Sequence, residues 1–347
     1  MKFRSSKQWL LVLFGFFVIC FCNACDSSED DEPQSSGVID TTATKEDSGS
    51  TAEETTSSPD ELPPLDKTIA PTSADLAALP NCAEDDLIFV QAASKVSALA
   101  IGTSGRPQEG LDIDANSTTC APEADCSGGV DNQLSIIAAI ANKSLEEALA
   151  LGSLMLALEI DGLPETSVDA SLTIRMFAVR IDSTNEECDW QADSCLYRVR
   201  PDSFDERCNP LMVLENAALS ATGALKAGGK EATLLLSIPL FGVNVKIPAT
   251  NVRMEATIER DSAGRVLSMS GILAGAVPKE KLTGALNEIP EEEFDAAGIK
   301  KSVVIQATDL VQNDIDSDGD GAKESASIGI KFATIPAVIA GLEASEQ

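Results

Sequence analysis

The residues best suited to chemistry in this chain of 347 residues are carboxylates gathered into two short runs. The denser run is Asn313-Asp314-Ile315-Asp316-Ser317-Asp318-Gly319-Asp320-Gly321, with Glu324 just beyond it. Carboxylates at every second position, next to glycines that permit a sharp turn, can converge several oxygens on one hard cation. The candidate ligands are therefore Asp314, Asp316, Asp318, Asp320 and Glu324. The competing reading is an unliganded Asp/Gly surface turn. A looser run sets Asp112 and Asp114 in Gly110-Leu111-Asp112-Ile113-Asp114, with Asp131 and Asn132 beyond Cys120 and Cys126. If the intervening loop folds back, Asp112, Asp114 and Asp131 make a second cation site. Otherwise Asp131 and Asn132 are ordinary turn and helix-cap residues.

The denser run resembles the aspartate-rich calcium loops of the EF-hand, dockerin and thrombospondin type 3 families over about a dozen residues. Asp314, Asp316 and Asp318 with Gly319 match the opening of such a loop, and Asp316, Asp318 and Asp320 with Gly321 match it one step later. The resemblance implies calcium as the cofactor. The match then departs from an EF-hand. Its twelfth position is Ser325 or Ser327 instead of Glu, and the following Ala326, Ile328, Ile330 and Phe332 alternate like a strand. A single calcium-stabilised loop between strands is expected, with weak affinity.

Other chemistry is narrowed by what is missing. The chain has no histidine, which removes His-based triads, Cys-His nucleophiles and His-ligated metals. Its 56 acids against 25 Lys and Arg give a net charge of −31, without the basic footprint that nucleic acid requires. Direct attraction to anionic lipid head groups is disfavoured for the same reason. Paired carboxylates remain available for hydrolysis. Aromatic platforms for sugars are scarce, since Trp190 and Tyr197 are the only Trp and Tyr beyond the first 24 residues.

Those first 24 residues carry Lys2, Arg4 and Lys7, no acid, and an apolar run from Trp9 to Phe21 broken only by Gly15. This is the build of a cleaved export signal. The run is too short for a membrane span, which needs about 20 apolar residues. The Cys22-Asn23-Ala24-Cys25 stretch that follows resembles a bacterial lipobox, with Cys22 where leucine is usual. The resemblance implies that Cys25 becomes the acylated (palmitate-bearing) first residue of a membrane-anchored lipoprotein in the cell envelope. Ordinary cleavage after Ala24 with no anchor is the alternative. Lipidating Cys25 leaves Cys82, Cys120, Cys126, Cys188, Cys195 and Cys208, an even set that can pair fully in an oxidising compartment. Spacing suggests Cys120 with Cys126, Cys188 with Cys195, and Cys82 with Cys208. Zinc would need paired cysteine knuckles, which are absent. Taken together, the pieces are similar to aspartate-rich envelope lipoproteins, a resemblance that implies an address and no activity.

The elements that must position these residues follow. Residues 25–80 are rich in Ser, Thr, Asp, Glu and Pro, and read as a disordered acidic tether. Residues 81–347 read as one β-rich domain, α+β and mainly antiparallel, sandwich- or barrel-like, with a few inserted helices. Strands are expected at Leu87–Val90, Leu154–Ile160, Leu172–Ile181, Val303–Ala307 and Ser327–Phe332, with a bulge near Met176 and Phe177. The clearest alternation is Val252, Met254, Ala256 and Ile258 against Arg253, Glu255, Thr257 and Glu259. Gly228-Gly229 and Asp261–Gly264 read as hairpin turns. Helices are expected over Gln133–Ala141, from a Ser144/Glu147 capping box, and from Pro278 and Pro290. Three functions fit: a non-catalytic binding or structural lipoprotein, a carboxylate-pair hydrolase, or a carrier of an apolar ligand within the strands from Leu234 to Ile258.

Overall fold

The computed structural model describes residues 62–344, apart from 66, 73–78, 80–81, 84–85, 124–126, 164–170, 192–193, 241–242 and 297. The expected export leader, Cys25, the expected tether up to residue 61 and Cys126 lie outside the described residues. The last part of the expected tether belongs to the fold. Strand β1 (Thr68–Ile69) pairs antiparallel with β2 (Phe89–Val90), and Arg265 donates to the Leu62 carbonyl. Leu62, Leu65 and Ile69 supply large apolar residues, of which the stretch from Asp26 to Glu61 has only Val38 and Ile39.

Eight strands close an antiparallel barrel in the order β11 (Val266–Pro278), β10 (Val243–Arg260), β8 (Ala224–Gly228), β7 (Val213–Leu219), β5 (Leu172–Ile181), β4 (Leu156–Asp161), β3 (Ala92–Ile101) and β12 (Ser325–Leu342). Pairing of β12 back onto β11, from Ser270↔Ala333 to Pro278↔Ser325, completes the circle. Closure removes most of the open edges that would otherwise template aggregation. Period-two patterning sorts the faces as the sequence implies: Val252, Met254, Ala256 and Ile258 fill the main core. Asp261–Gly264 joins β10 to β11 as a hairpin, with the Gly264 amide bonded to the Asp261 carbonyl at 3.0 Å.

A second ring shares part of this wall. Strand β6 (Leu196–Val199) runs parallel to the end of β12 and antiparallel to the end of β5, so β3, β4, β5, β6 and β12 also close on one another. Its core holds Phe89, Phe177, Tyr197, Val199, Phe204 and Ile339. The Phe89 and Phe177 rings meet edge to face at 5.5 Å. The parity change at Met176 and Phe177 follows from this double burial. Leu172 and Ile174 face the main core while Phe177 and Val179 face the second, and β5 stays in unbroken register with β4 from 173 to 178. The expected bulge is therefore not there. On the other edge, against β7, the register shifts between Leu172 and Ile174. Disulfides Cys82–Cys208 and Cys188–Cys195 form as the spacing suggests, both beside the second core, and Cys120 is also disulfide-bonded.

Three local expectations are overturned by packing. Gln133–Ile137 forms a 3-10 turn that runs directly into α1 (Ala138–Ala150), which places Ser144 inside the helix. Leu134, Ala138, Ala141, Leu145 and Ala148 form one buried stripe through that point. Burying a leucine contributes roughly 1.5–3 kcal/mol, against about 1 kcal/mol for a cap, so the continuous helix wins. Residues 303–307 are helical, not a strand, and lie within α4 (Lys301–Leu310). There Val304, Thr308 and Val311 are buried at helical spacing while Val303 is exposed. Gly228-Gly229 does not make a hairpin. Strands β8 and β9 (Leu234–Leu240) lie end to end along one edge of β10, with Gly228 opposite Arg253 and Leu234 opposite Ala249. The glycines, at φ +78° and +155°, let the chain loop out between them. Helices α2 (Lys279–Glu288) and α3 (Glu291–Ala296) begin after Pro278 and Pro290 as expected.

Candidate metal centre

Both aspartate runs sit on the outside of the barrel wall at β11. Leu273 and Val277 point into the main core, whereas Ala274 and Ala276 point outward and pack against Ile113 and Ile315. Each isoleucine sits between two aspartates of its run, so burying it fixes where the flanking carboxylates stand. Both are almost wholly buried, at 2% and 0% exposure.

The denser run is a hairpin loop closed by Ile315 and Ser325, whose amides and carbonyls bond each other at 3.0 and 3.2 Å. Within it, carboxylate oxygens of Asp316, Asp318, Asp320 and Glu324 lie within 4.8 Å of one another. The turn is held from within. Asp316 accepts from the amides of Gly319 (2.7 Å) and Gly321 (2.9 Å), and Glu324 accepts from the amide of Ser317 (2.5 Å). Gly319 and Gly321 adopt φ +83° and +94°, a backbone that side-chain-bearing residues rarely take. Desolvation works against ionised Asp316, but the amides of Gly319, Gly321 and Asp320 prevail and hold its carboxyl below the usual range. Four of the five expected ligands thus converge. Asp314 stands apart, its carboxylate bound to the Ser327 amide (2.7 Å) and hydroxyl (2.5 Å). It anchors the start of β12, and burial pushes its carboxyl up.

The looser run does fold back. Asp131 pairs with Leu111 and Ala121 through isolated bridges, and its carboxylate accepts from the Ile113 amide at 2.8 Å. Oxygens of Asp112, Asp114 and Asp131 lie within 4.8 Å of one another. Asp131 is pushed up to about 7, chiefly by burial, with the Ile113 amide opposing and the Asp114 and Asp314 charges adding to the rise. Asp112 is also raised, first by burial and then by Asp114. Ile113 and Ile315 pack in one small cluster against Ala274 and Ala276, so the two runs are neighbours in space. Arg253, projecting outward from β10, donates to the Asp112 carbonyl at 2.6 Å.

Asn132 stands at the N-cap position of the 3-10 turn, as expected, but its side chain makes no cap bond there. Its amide donates to the carbonyls of Gly102, Ser104 and Glu109, and its oxygen accepts from Gly329 at 2.9 Å. This clasp holds the loop after β3 against β12. The Glu109 carbonyl passes so close to Gly329 that a Cβ there would stand 2.4 Å from it. Another group invisible in the sequence is Glu159, fully buried between the rings. Its Oε2 accepts from the Val90 amide at 2.7 Å, and Arg175 lies 3.0 Å from its Oε1. Burial lifts it to about 7 against the pull of Arg175. Such a carboxyl suits acid–base chemistry by its titration, but here it is sealed beneath β2 and works as a clamp. No sequence pattern marks it out, because its partners come from residues 88–90 and 175.

No protein-family model, curated protein or solved structure matches this chain.

Proposed function

We propose that this chain is an exported, lipid-anchored envelope protein with a non-catalytic binding or structural role, whose barrel wall is fastened by calcium at its aspartate loops. The observation that carries the calcium reading is the meeting of Asp316, Asp318, Asp320 and Glu324 within 4.8 Å. Every donor in that set is a carboxylate oxygen, the chemistry of a hard cation, and the irregular loop suits calcium's flexible shell of six to eight oxygens better than magnesium's strict octahedron. Ionised carboxylates at this spacing repel one another, and a divalent cation offsets that repulsion. Asp112, Asp114 and Asp131 would hold a second ion on the same wall. The anchored, extracytoplasmic address rests on the lipobox-like Cys22–Cys25 stretch and is supported by the disulfides, which persist in oxidising compartments. No helix among the described residues is long and apolar enough to cross a membrane, and the proposed attachment is the acylated Cys25.

A cation bound only by the folded chain stabilises it by mass action. Millimolar calcium should raise the melting temperature over that in chelator, and magnesium should do less. Replacing Asp316 and Asp318 together with Asn should remove most of the gain, while sodium at matched ionic strength should not reproduce it. Equal melting temperatures in calcium and chelator would leave only an acidic surface turn.

A further inference from the structure

Strand β3 is paired along only part of one edge. Its β12 edge is paired from Ala92 to Ile101 apart from a register shift at Ser97, but β4 pairs with it only at Ser94 and Lys95, and then the chain turns away into the end of α1. Between Val96 and Ile101 that edge opens into a cleft of about 680 Å³, walled by β3 on one side and by Leu149 and Ala150 of α1 on the other. The backbone phase along the edge follows from its last bonds. The Gly102 amide bonds the Gly329 carbonyl of β12, so Ile101 and, two residues back, Leu99 point their N–H and C=O the other way. Ile101 is satisfied there by a side chain: its amide donates to Asn142 Oδ1 at 2.7 Å, and its carbonyl accepts from Asn142 Nδ2 at 2.8 Å. One carboxamide thus occupies the place that a peptide group of a neighbouring strand would fill. At Leu99, one step along, no strand or side chain among the described residues takes the corresponding pair.

The rest of the cleft suits an extended chain. Ala98, Ala100 and Ala150 leave room beside the edge, and Leu149 and Phe332 supply apolar walls. One end is closed by Asn142. The other is closed by Trp190, whose ring lies 4.7 Å from the ammonium of buried Lys95. Leu151, next in sequence to the lining residue Ala150, is 81% exposed, the largest exposure of any big apolar side chain among the described residues. An acyl chain would fill the volume yet leave the amide and carbonyl of Leu99 without partners, a cost that a peptide backbone avoids.

We propose that this cleft is a peptide-binding site that takes an extended segment of a partner protein as an added strand on β3. Leu99 exchanges both main-chain hydrogen bonds with one ligand residue, and the segment's small apolar side chains lie between α1 and Trp190. At about 3.3 Å per residue the open edge accommodates on the order of five residues. The inference does not depend on calcium or on the lipid anchor.

The test uses the full chain in detergent micelles and a phage-displayed library of random hexapeptides. Enrichment of extended, β-branched or small-residue sequences is expected, and Ala150→Phe, which fills the cleft from an exposed position, should abolish it. The best synthetic peptide is then N-methylated one residue at a time and measured by calorimetry. Methylating the residue opposite Leu99 should weaken binding about tenfold or more, whereas methylating its neighbours, whose amides point away from β3, should change it less than about twofold. No enrichment over the Ala150→Phe variant overturns the proposal. Binding indifferent to N-methylation also overturns it, because main-chain pairing would then be absent. Saturation of the cleft by palmitate with no bound peptide assigns it to lipid instead.

Discussion

Two buried polar groups show how residue-scale chemistry sets stability here. The Tyr197 hydroxyl is buried in the second core with no hydrogen-bond partner among the described residues, and a buried unsatisfied hydroxyl costs roughly 1–3 kcal/mol. Tyr197→Phe removes the hydroxyl and keeps the ring, so urea melts should show a gain of about 1 kcal/mol. A loss would mean that the hydroxyl is satisfied in solution. Glu159 carries a pH dependence of definite sign. Its carboxyl is raised from an ordinary 4.5 to about 7. Between those values the folded chain keeps a proton that the unfolded chain has released, so this contribution to stability is full below pH 4.5 and declines as pH rises toward 7. Asp131 acts in the same direction when no cation is bound. In chelator, stability should therefore fall from pH 5 to pH 7.5, and Glu159→Gln should flatten part of that slope. An unchanged slope in the variant would remove Glu159 as its source.

Between elements, the stabilising links are long in sequence. The Cys82–Cys208 bond joins the segment between β1 and β2 to the approach to β7, across a separation of 126 residues. Cross-linking so long a loop removes much of the unfolded chain's freedom, and the chain-entropy account puts the effect at about 4–5 kcal/mol. Replacing both cysteines with Ser should lower stability by about 4 kcal/mol and open the second ring before the barrel, because Cys208 packs in that ring's core. Hydrogen exchange would show Phe89, Tyr197 and Val199 losing protection while Met254 and Leu273 in the barrel keep theirs. Uniform loss of protection would mean that the two cores melt as one unit.

For the whole molecule, the governing fact is a net charge of −31, beside the proposed export leader of residues 1–24 that precedes Cys25. Direct attraction of a chain of that charge to anionic lipid surfaces is disfavoured, and the proposed attachment is acylation of Cys25. Cys25→Ser should abolish palmitate labelling and move the protein from the membrane to the soluble fraction. Unchanged labelling of the variant would refute the anchor. The same charge concentrates divalent cations near the surface, which favours even a weak calcium loop.

The sequence alone determined what depends on local spacing. Alternation from Val252 to Ile258 specifies a strand with one wet face, and glycines at 319 and 321 specify a tight turn that collects carboxylates. Spacing also pointed to two disulfides, Cys82–Cys208 and Cys188–Cys195. Asp112, Asp114 and Asp131 were legible as a cluster only on the condition that the loop folds back, which it does. Where two local signals competed, tertiary packing decided. The buried stripe overrode the Ser144 cap, and the β-branched run at 303–305 became helix because Val304, Thr308 and Val311 face the core. Asp314 left the ligand set because Ser327, thirteen residues on, offered it an amide and a hydroxyl. The open edge at Leu99, the Asn142 carboxamide beside it and the Glu159 clamp have no sequence signature at all. Each arises where segments far apart in the chain meet, and the energy of such a meeting is settled only once the barrel has closed.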